Sequence, residues 1–156
     1  MKPEQFIREQ GLPEVNRILE EAPKHSKFVI PCLDGEMYFS QREDDGKWFK
    51  WSNGYSKWLE YFGKCNPLDL AYSLSDLKRL VESLNIVRVI GPIEYTRSVV
   101  TNAPVNAIGY DTMYEGYFGE ETKHYYENLR TFTIDQIKDA VAAHESIYGG
   151  GESHAN

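Results

Sequence analysis

Residues 27–62, KFVIPCLDGEMYFSQREDDGKWFKWSNGYSKWLEYF, run apolar and aromatic side chains at a period of about two and are cut by three turn signals, Asp34-Gly35, Asp44-Asp45-Gly46 and Asn53-Gly54. A period of two belongs to strands with distinct faces, and Asp-Gly and Asn-Gly supply the positive φ of tight hairpin turns. The spacing predicts four antiparallel strands: Lys27 to Cys32, Glu36 to Gln41, Lys47 to Ser52 and Tyr55 to Tyr61. Pro31 has no amide to donate, so the first strand is expected at a sheet edge. Met37 and Phe39 point to one side of the second strand and Glu36, Tyr38 and Ser40 to the other; in the third, Phe49 and Trp51 oppose Trp48 and Lys50.

Aromatic residues on both faces admit two readings. Helices cover one face while Lys and Arg stems half-cover the tryptophans of the other. Alternatively, Tyr38, Trp48, Tyr55 and Trp58 form an exposed aromatic patch, of the kind that marks a partner or ligand surface.

Outside the meander the period changes to that of helices. Lys2 to Gln10 forms a short helix with Pro3 in its first turn, Phe6 and Ile7 inward and Gly11 as its left-handed C-terminal cap. A second helix has Pro13 at its first position and Val15, Ile18 and Leu19 on its apolar side, and Ala22-Pro23 ends it. Ser73 to Ile90 has the clearest helical stripe, Leu77, Leu80, Val81, Leu84 and Val87, with Asp76, Lys78, Arg79, Glu82 and Ser83 opposite. Ser73 is its expected N-cap, with Asp76 completing an approximate capping box. Gly91 stops that helix and Pro92 begins another, which ends before Asn102-Ala103-Pro104. The outline is shared with a DNA-reading helix-turn-helix, but the second helix offers Arg97 alone against Glu94, too few donors to read a major groove. A final helix is capped by Thr133 and Gln136, with Ile134, Ile137, Val141 and Tyr148 inward, Ala140 and Ile147 beside them, and Gly149 to Gly151 at its end.

Together these elements predict an α+β fold: a small antiparallel β-meander packed by N-terminal, central hairpin and C-terminal helices, in one domain over residues 1–151 with a disordered tail at 152–156. Pro104 to Arg130 is the least regular stretch and is aromatic and acidic, with Tyr110, Asp111, Tyr125, Tyr126 and Glu127 around a centre of Tyr114, Glu115, Tyr117 and Phe118. It is either partly strand, with Tyr114 to Phe118 adding to the sheet, or a recognition surface in which rigid tyrosines alternate with carboxylates.

A chain of 156 residues with 41% hydrophobic side chains can bury a core of ordinary size. Its net charge of −7 opposes general attraction to phosphate backbones, so direct nucleic-acid binding is not expected. There is no apolar run of signal-peptide or membrane-span length, which predicts a cytosolic protein with no membrane contact. Cys32 and Cys65 lack a Cys-x-x-Cys spacing and are expected as buried, reduced thiols. His25, His124, His144 and His154 show no metal-ligand spacing, and no phosphate loop or nucleophile motif is present. The expectation is a non-enzymatic protein with no metal and no cofactor.

Three stretches carry a family likeness: MKPEQFIREQG at residues 1–11, SLSDLKRLVESL at 73–84 and HESIYG at 144–149. They resemble uncharacterised small proteins encoded in the accessory early regions of lambdoid bacteriophages and prophages of enteric bacteria. No catalytic or binding residue is assigned in that group, so none is carried over. The resemblance implies a setting in the cytoplasm of the host bacterium and a partner among host proteins, with defence and nucleic-acid-processing components as candidates. Function is then expected on the meander and the aromatic, acidic segment. The alternative is a small-ligand protein whose aromatic sheet face stacks on a nucleotide-like molecule.

Overall fold

The period-two patterning of the meander becomes four antiparallel strands in a computed structural model of the chain, which describes residues 2–32, 35–123 and 130–149. They are β1 (Phe28–Ile30), β2 (Met37–Gln41), β3 (Trp48–Ser52) and β4 (Lys57–Glu60). Among the described residues the fold is α+β, with five α-helices and two antiparallel sheets of five and three strands. Asp34, His124, Tyr125, Tyr126, Glu127 and His154, the Gly150-Gly151 stop and the 152–156 tail lie outside the described residues. The chain divides into two compact units between Arg79 and Leu80, within the central helix.

In the first unit a short strand, β5 (Tyr72–Ser73), pairs with β1, so the sheet order is β4-β3-β2-β1-β5. β1 is therefore internal and not the expected edge. Its ladder ends at Ile30, so the missing donor of Pro31 falls just outside it. The register aligns one row across all five strands on one face: Val29 faces Tyr72 and Tyr38, and Trp51 faces Trp58 in the same row. Helices α1 (Pro3–Gln10) and α2 (Leu12–Glu21) meet this row. Phe6 stacks on Tyr72 with ring centroids 4.5 Å apart, and the Tyr38 hydroxyl donates to the Ile18 carbonyl at 2.9 Å. Phe6, Ile7, Val15 and Ile18 are buried, each contributing about 1.5–3 kcal/mol relative to an exposed side chain. The opposite face carries Phe28, Phe39, Trp48 and Tyr61, where Phe39 is enclosed edge-on by Trp48 and Tyr61.

Two hairpin loops of the meander have four residues and place the positive φ last: residues 43–46, inside the bond from the Arg42 amide to the Lys47 carbonyl at 2.9 Å, and residues 53–56, inside the Ser52–Lys57 pair. Gly46 (φ 72°) closes the β2–β3 loop and Ser56 (φ 52°) closes the β3–β4 loop. Asn53-Gly54 therefore does not form the expected two-residue turn: the ladder closes at Ser52 and Lys57, and β4 starts two residues later than the composition implies. Cys32 and Cys65 are exposed, contrary to the expected burial: Cys32 lies past the end of β1 at Ile30, and Cys65 lies in the connection before β5.

Helix α3 (Leu74–Ile90) begins where predicted, with the Asp76 amide donating to Ser73 Oγ. Leu74, Leu77, Leu80, Leu84 and Val87 are buried, and so is Ser83, which was expected on the polar side. Ser83 stands three residues after Leu80 and four before Val87, which puts it on the buried face. Gly91 ends the helix with φ 145°, a conformation that favours glycine.

In the second unit, α4 (Ile93–Thr101) and α5 (Ile134–Tyr148) pack with a second sheet of β6 (Ala107–Asp111), β7 (Gly116–Gly119) and β8 (Thr131–Thr133), in the order β7-β6-β8. Val99, Tyr110, Ile134 and Ile137 form its core. The capping box of Thr133 and Gln136 forms as predicted. Ala140, Ala143 and Ile147 continue the buried line of α5, while Val141 and Tyr148 flank it half-buried. The aromatic, acidic segment is thus partly strand, in a sheet separate from the meander.

Candidate functional site

The β6–β7 hairpin owes its shape to residues that the strand pattern alone does not mark. Asp111 faces Gly116 across the closing pair, leaving Thr112, Met113, Tyr114 and Glu115 as a four-residue loop. The Asp111 side chain is 2% exposed, and its Oδ1 accepts from the amides of Met113 at 2.8 Å and Tyr114 at 3.1 Å. A short carboxylate that turns back on the next amides is the usual way for Asp to fix a turn. Thr112 adds two bonds, its amide and its hydroxyl both donating to the Arg130 carbonyl at 2.9 Å. Glu115 closes the loop with φ 55°, a conformation that costs a non-glycine residue of the order of 1 kcal/mol.

This framework holds Tyr114 in water, 75% exposed, beside Met113 and Glu115, which are also exposed. Below the tip the same hairpin is packed. The Tyr117 hydroxyl donates to the Val99 carbonyl at 2.7 Å, and its ring meets Tyr110 edge-on at 5.1 Å. Phe118 is buried with its ring lying over Gly109, the residue it faces across the ladder. Tyr110 shares a 2.6 Å hydrogen bond with Tyr95, and burial followed by that bond raises its phenol well above the ordinary tyrosine range. Of the four residues predicted here, Tyr114 and Glu115 are presented to solvent, whereas Tyr117 and Phe118 hold the hairpin in place.

The aromatic residues singled out in the meander are not brought together. Tyr38 is buried under α2 and is no part of an exposed patch; burial first, then the Glu36 carboxylate, pushes its phenol up to about 12. Trp48 lies on the opposite face against Phe28 and Phe39. Trp58 packs edge-on to Trp51 and donates its indole N–H to the Lys24 carbonyl at 3.1 Å. Tyr55 sits in the β3–β4 loop, 73% exposed, with the Lys57 ammonium over its ring. Period-two reasoning separates the faces of a strand, but the row formed with neighbouring strands depends on register, which only pairing reveals.

An open groove of about 1130 Å³ beside this sheet is lined by Arg17, Glu36, Tyr38, Trp51 and Phe62 among others. On its wall the Arg17 guanidinium holds Glu14, Glu21 and Glu36 at 2.6–2.7 Å and is raised above its ordinary range chiefly by the bonds to Glu14 and Glu36. A second groove of about 740 Å³ contains Phe49 and Trp58, with the Arg42 guanidinium already 5.0 Å over the Phe49 ring. Among the described residues, no group of three or more His, Cys, Asp or Glu side chains is placed to hold a metal ion, and no helix is long and apolar enough to cross a membrane. Met113, Leu59 and Phe62 are exposed apolar residues that the sequence reading passes over. The signal for Met113 was Asp111, two residues before it at the end of an apolar run.

Comparison with protein-family models, with curated proteins and with solved structures finds no match.

Proposed function

We propose that this chain is a non-enzymatic protein-binding module, acting as a bacteriophage accessory protein that engages and modulates a host protein through the tip of the β6–β7 hairpin. One observation carries the reading: a buried carboxylate and two threonine bonds lock a loop whose outward residues are Met113, Tyr114 and Glu115. Locking an exposed aromatic residue before contact lowers the ordering cost of association, and Tyr is among the residues that most often anchor protein interfaces. The surrounding charge favours a basic partner. Residues 80–156 contain 5 basic and 11 acidic residues, against 12 and 13 in residues 1–79, so most of the negative charge belongs to the second unit. A field of one sign accelerates encounter with a surface of the other. The likeness of residues 1–11, 73–84 and 144–149 to phage accessory proteins supports a partner from the bacterial host.

The alternative, stacking of a nucleotide-like ligand on the sheet, draws less support, since α2 covers Tyr38 and Arg42 covers Phe49. The test is retention of host proteins from bacterial lysate by immobilised wild-type chain and by Tyr114→Ala. The expected result is a defined host protein held by the wild type and lost from the variant, at unchanged melting temperature. Equal retention by both, or none by either, would refute the reading.

A further inference from the structure

The outer edge of the five-stranded sheet is β4, and one bond reveals its hydrogen-bonding parity. The Tyr61 amide donates to the Trp48 carbonyl at 2.8 Å, extending the register in which Phe49 faces Glu60 and Lys50 faces Leu59. Alternation in an antiparallel ladder then turns the backbone groups of Lys57, Leu59 and Tyr61 toward β3 and those of Trp58, Glu60 and Phe62 away from it. No strand pairs with that outer side among the described residues. Proteins commonly shield such an edge with a proline, a bulge or an inward-pointing charge. β4 has no proline, pairs with β3 through four successive residues without a bulge, and carries its two charges only at its ends, Lys57 and Glu60. Exposed apolar side chains flank its centre instead: Leu59 on the strand, Tyr55 four residues before it and Phe62, 82% exposed, three residues after it.

We propose that β4 is a self-association edge, on which a second copy of the chain pairs antiparallel about a twofold axis through Leu59. Facing residues must lie on the same face of the joined sheet, so only residues of equal parity can oppose each other. With Leu59 opposite Leu59 of the second copy, Trp58 faces Glu60 on both sides of the axis, and these are the residues whose amides and carbonyls point outward. The same register packs exposed Leu59 of one copy against Leu59 of the other, on the face opposite Trp58. A closed two-copy arrangement of this kind uses one patch twice and leaves no free β4 edge. Charge favours the first unit for this contact: its 12 basic and 13 acidic residues nearly cancel, whereas an interface through residues 80–156 would bring two strongly acidic surfaces together.

Sedimentation equilibrium of the full chain over a concentration series tests the pairing. The expected mass is twice the 18.0 kDa of one chain at the upper end of the series. Glu60→Pro removes an outward amide that the β3 ladder does not use, and is expected to give a folded monomer. Leu59→Cys in a Cys32→Ser, Cys65→Ser background tests the register independently of that variant. The Leu59 pair occupies a non-hydrogen-bonded position, where facing Cα atoms are about 4.5 Å apart, within disulfide reach. Mild oxidation should cross-link Leu59→Cys into a covalent dimer and leave Lys57→Cys, which faces Tyr61, uncross-linked. A monomer at every concentration would overturn the proposal, including the case in which β4 serves an extended segment of a different protein. So would a dimer that the Leu59→Cys variant fails to cross-link.

Discussion

Replacing Asp111 by Ala isolates the device that shapes the hairpin tip. The Asp111 carboxylate is buried and accepts two backbone amides, from Met113 at 2.8 Å and Tyr114 at 3.1 Å. A hydrogen bond to a charged acceptor contributes about 1.5–3 kcal/mol when its loss strands the partner in a dry site. Here the two donors belong to exposed residues, so water can replace part of what the carboxylate supplies, and the lower end of that range applies to each. The thinned contacts of the Ala side chain act in the same direction. The expected destabilisation is about 3 kcal/mol in urea unfolding. Asp111→Asn keeps an acceptor oxygen and loses only the charge, so a smaller loss of about 1 kcal/mol is expected. Hydrogen exchange gives a local readout, with the Met113 and Tyr114 amides losing protection in Asp111→Ala while those of α5 keep theirs at matched global stability. An Ala variant within 0.5 kcal/mol of wild type and unchanged exchange at both amides would show that Asp111 does not hold the loop, and the case for a preorganised recognition tip would fall with it.

Two further outcomes follow from packing and charge. Gly109→Ala places a methyl group inside the Phe118 ring that lies across it, and overpacking of this kind is expected to cost about 1–3 kcal/mol; an unchanged unfolding midpoint would contradict the observed packing. Burial, followed by the Arg97 guanidinium, holds the His144 imidazole below its ordinary 6.5, against smaller opposing effects of Glu145 and Glu94. The unfolded chain therefore binds the proton first as pH falls. Above 6.5 this residue has no effect, and stability declines from there down to the folded-state pKa. Midpoints measured at neutral pH and in the range just above carboxylate titration should converge in His144→Gln relative to wild type, and an identical slope in both proteins would exclude His144 as a source of acid sensitivity.

The local rules in the chain were sufficient for its helices and for the four strands of the meander. Pro3 and Gly11, Ser73 and Gly91, and Thr133 with Gln136 mark helix boundaries because each satisfies or terminates backbone hydrogen bonding within a few residues of itself. Alternation across residues 28–60 likewise identified the strands and which side chains share a face of each. What lay beyond the sequence is every property that depends on a second segment. β5 comes from residues 72–73 and makes β1 internal, α2 covers Tyr38, and the second sheet draws its β8 from residues 131–133. The same division runs through the candidate site. Composition pointed to Tyr114, Glu115, Tyr117 and Phe118 as a group, and their local spacing is all the sequence contains. Only the tertiary structure separates them, because exposure is decided by what packs from elsewhere: Val99 and Gly109 engage Tyr117 and Phe118, and the closed loop over Asp111 turns Tyr114 and Glu115 out to water.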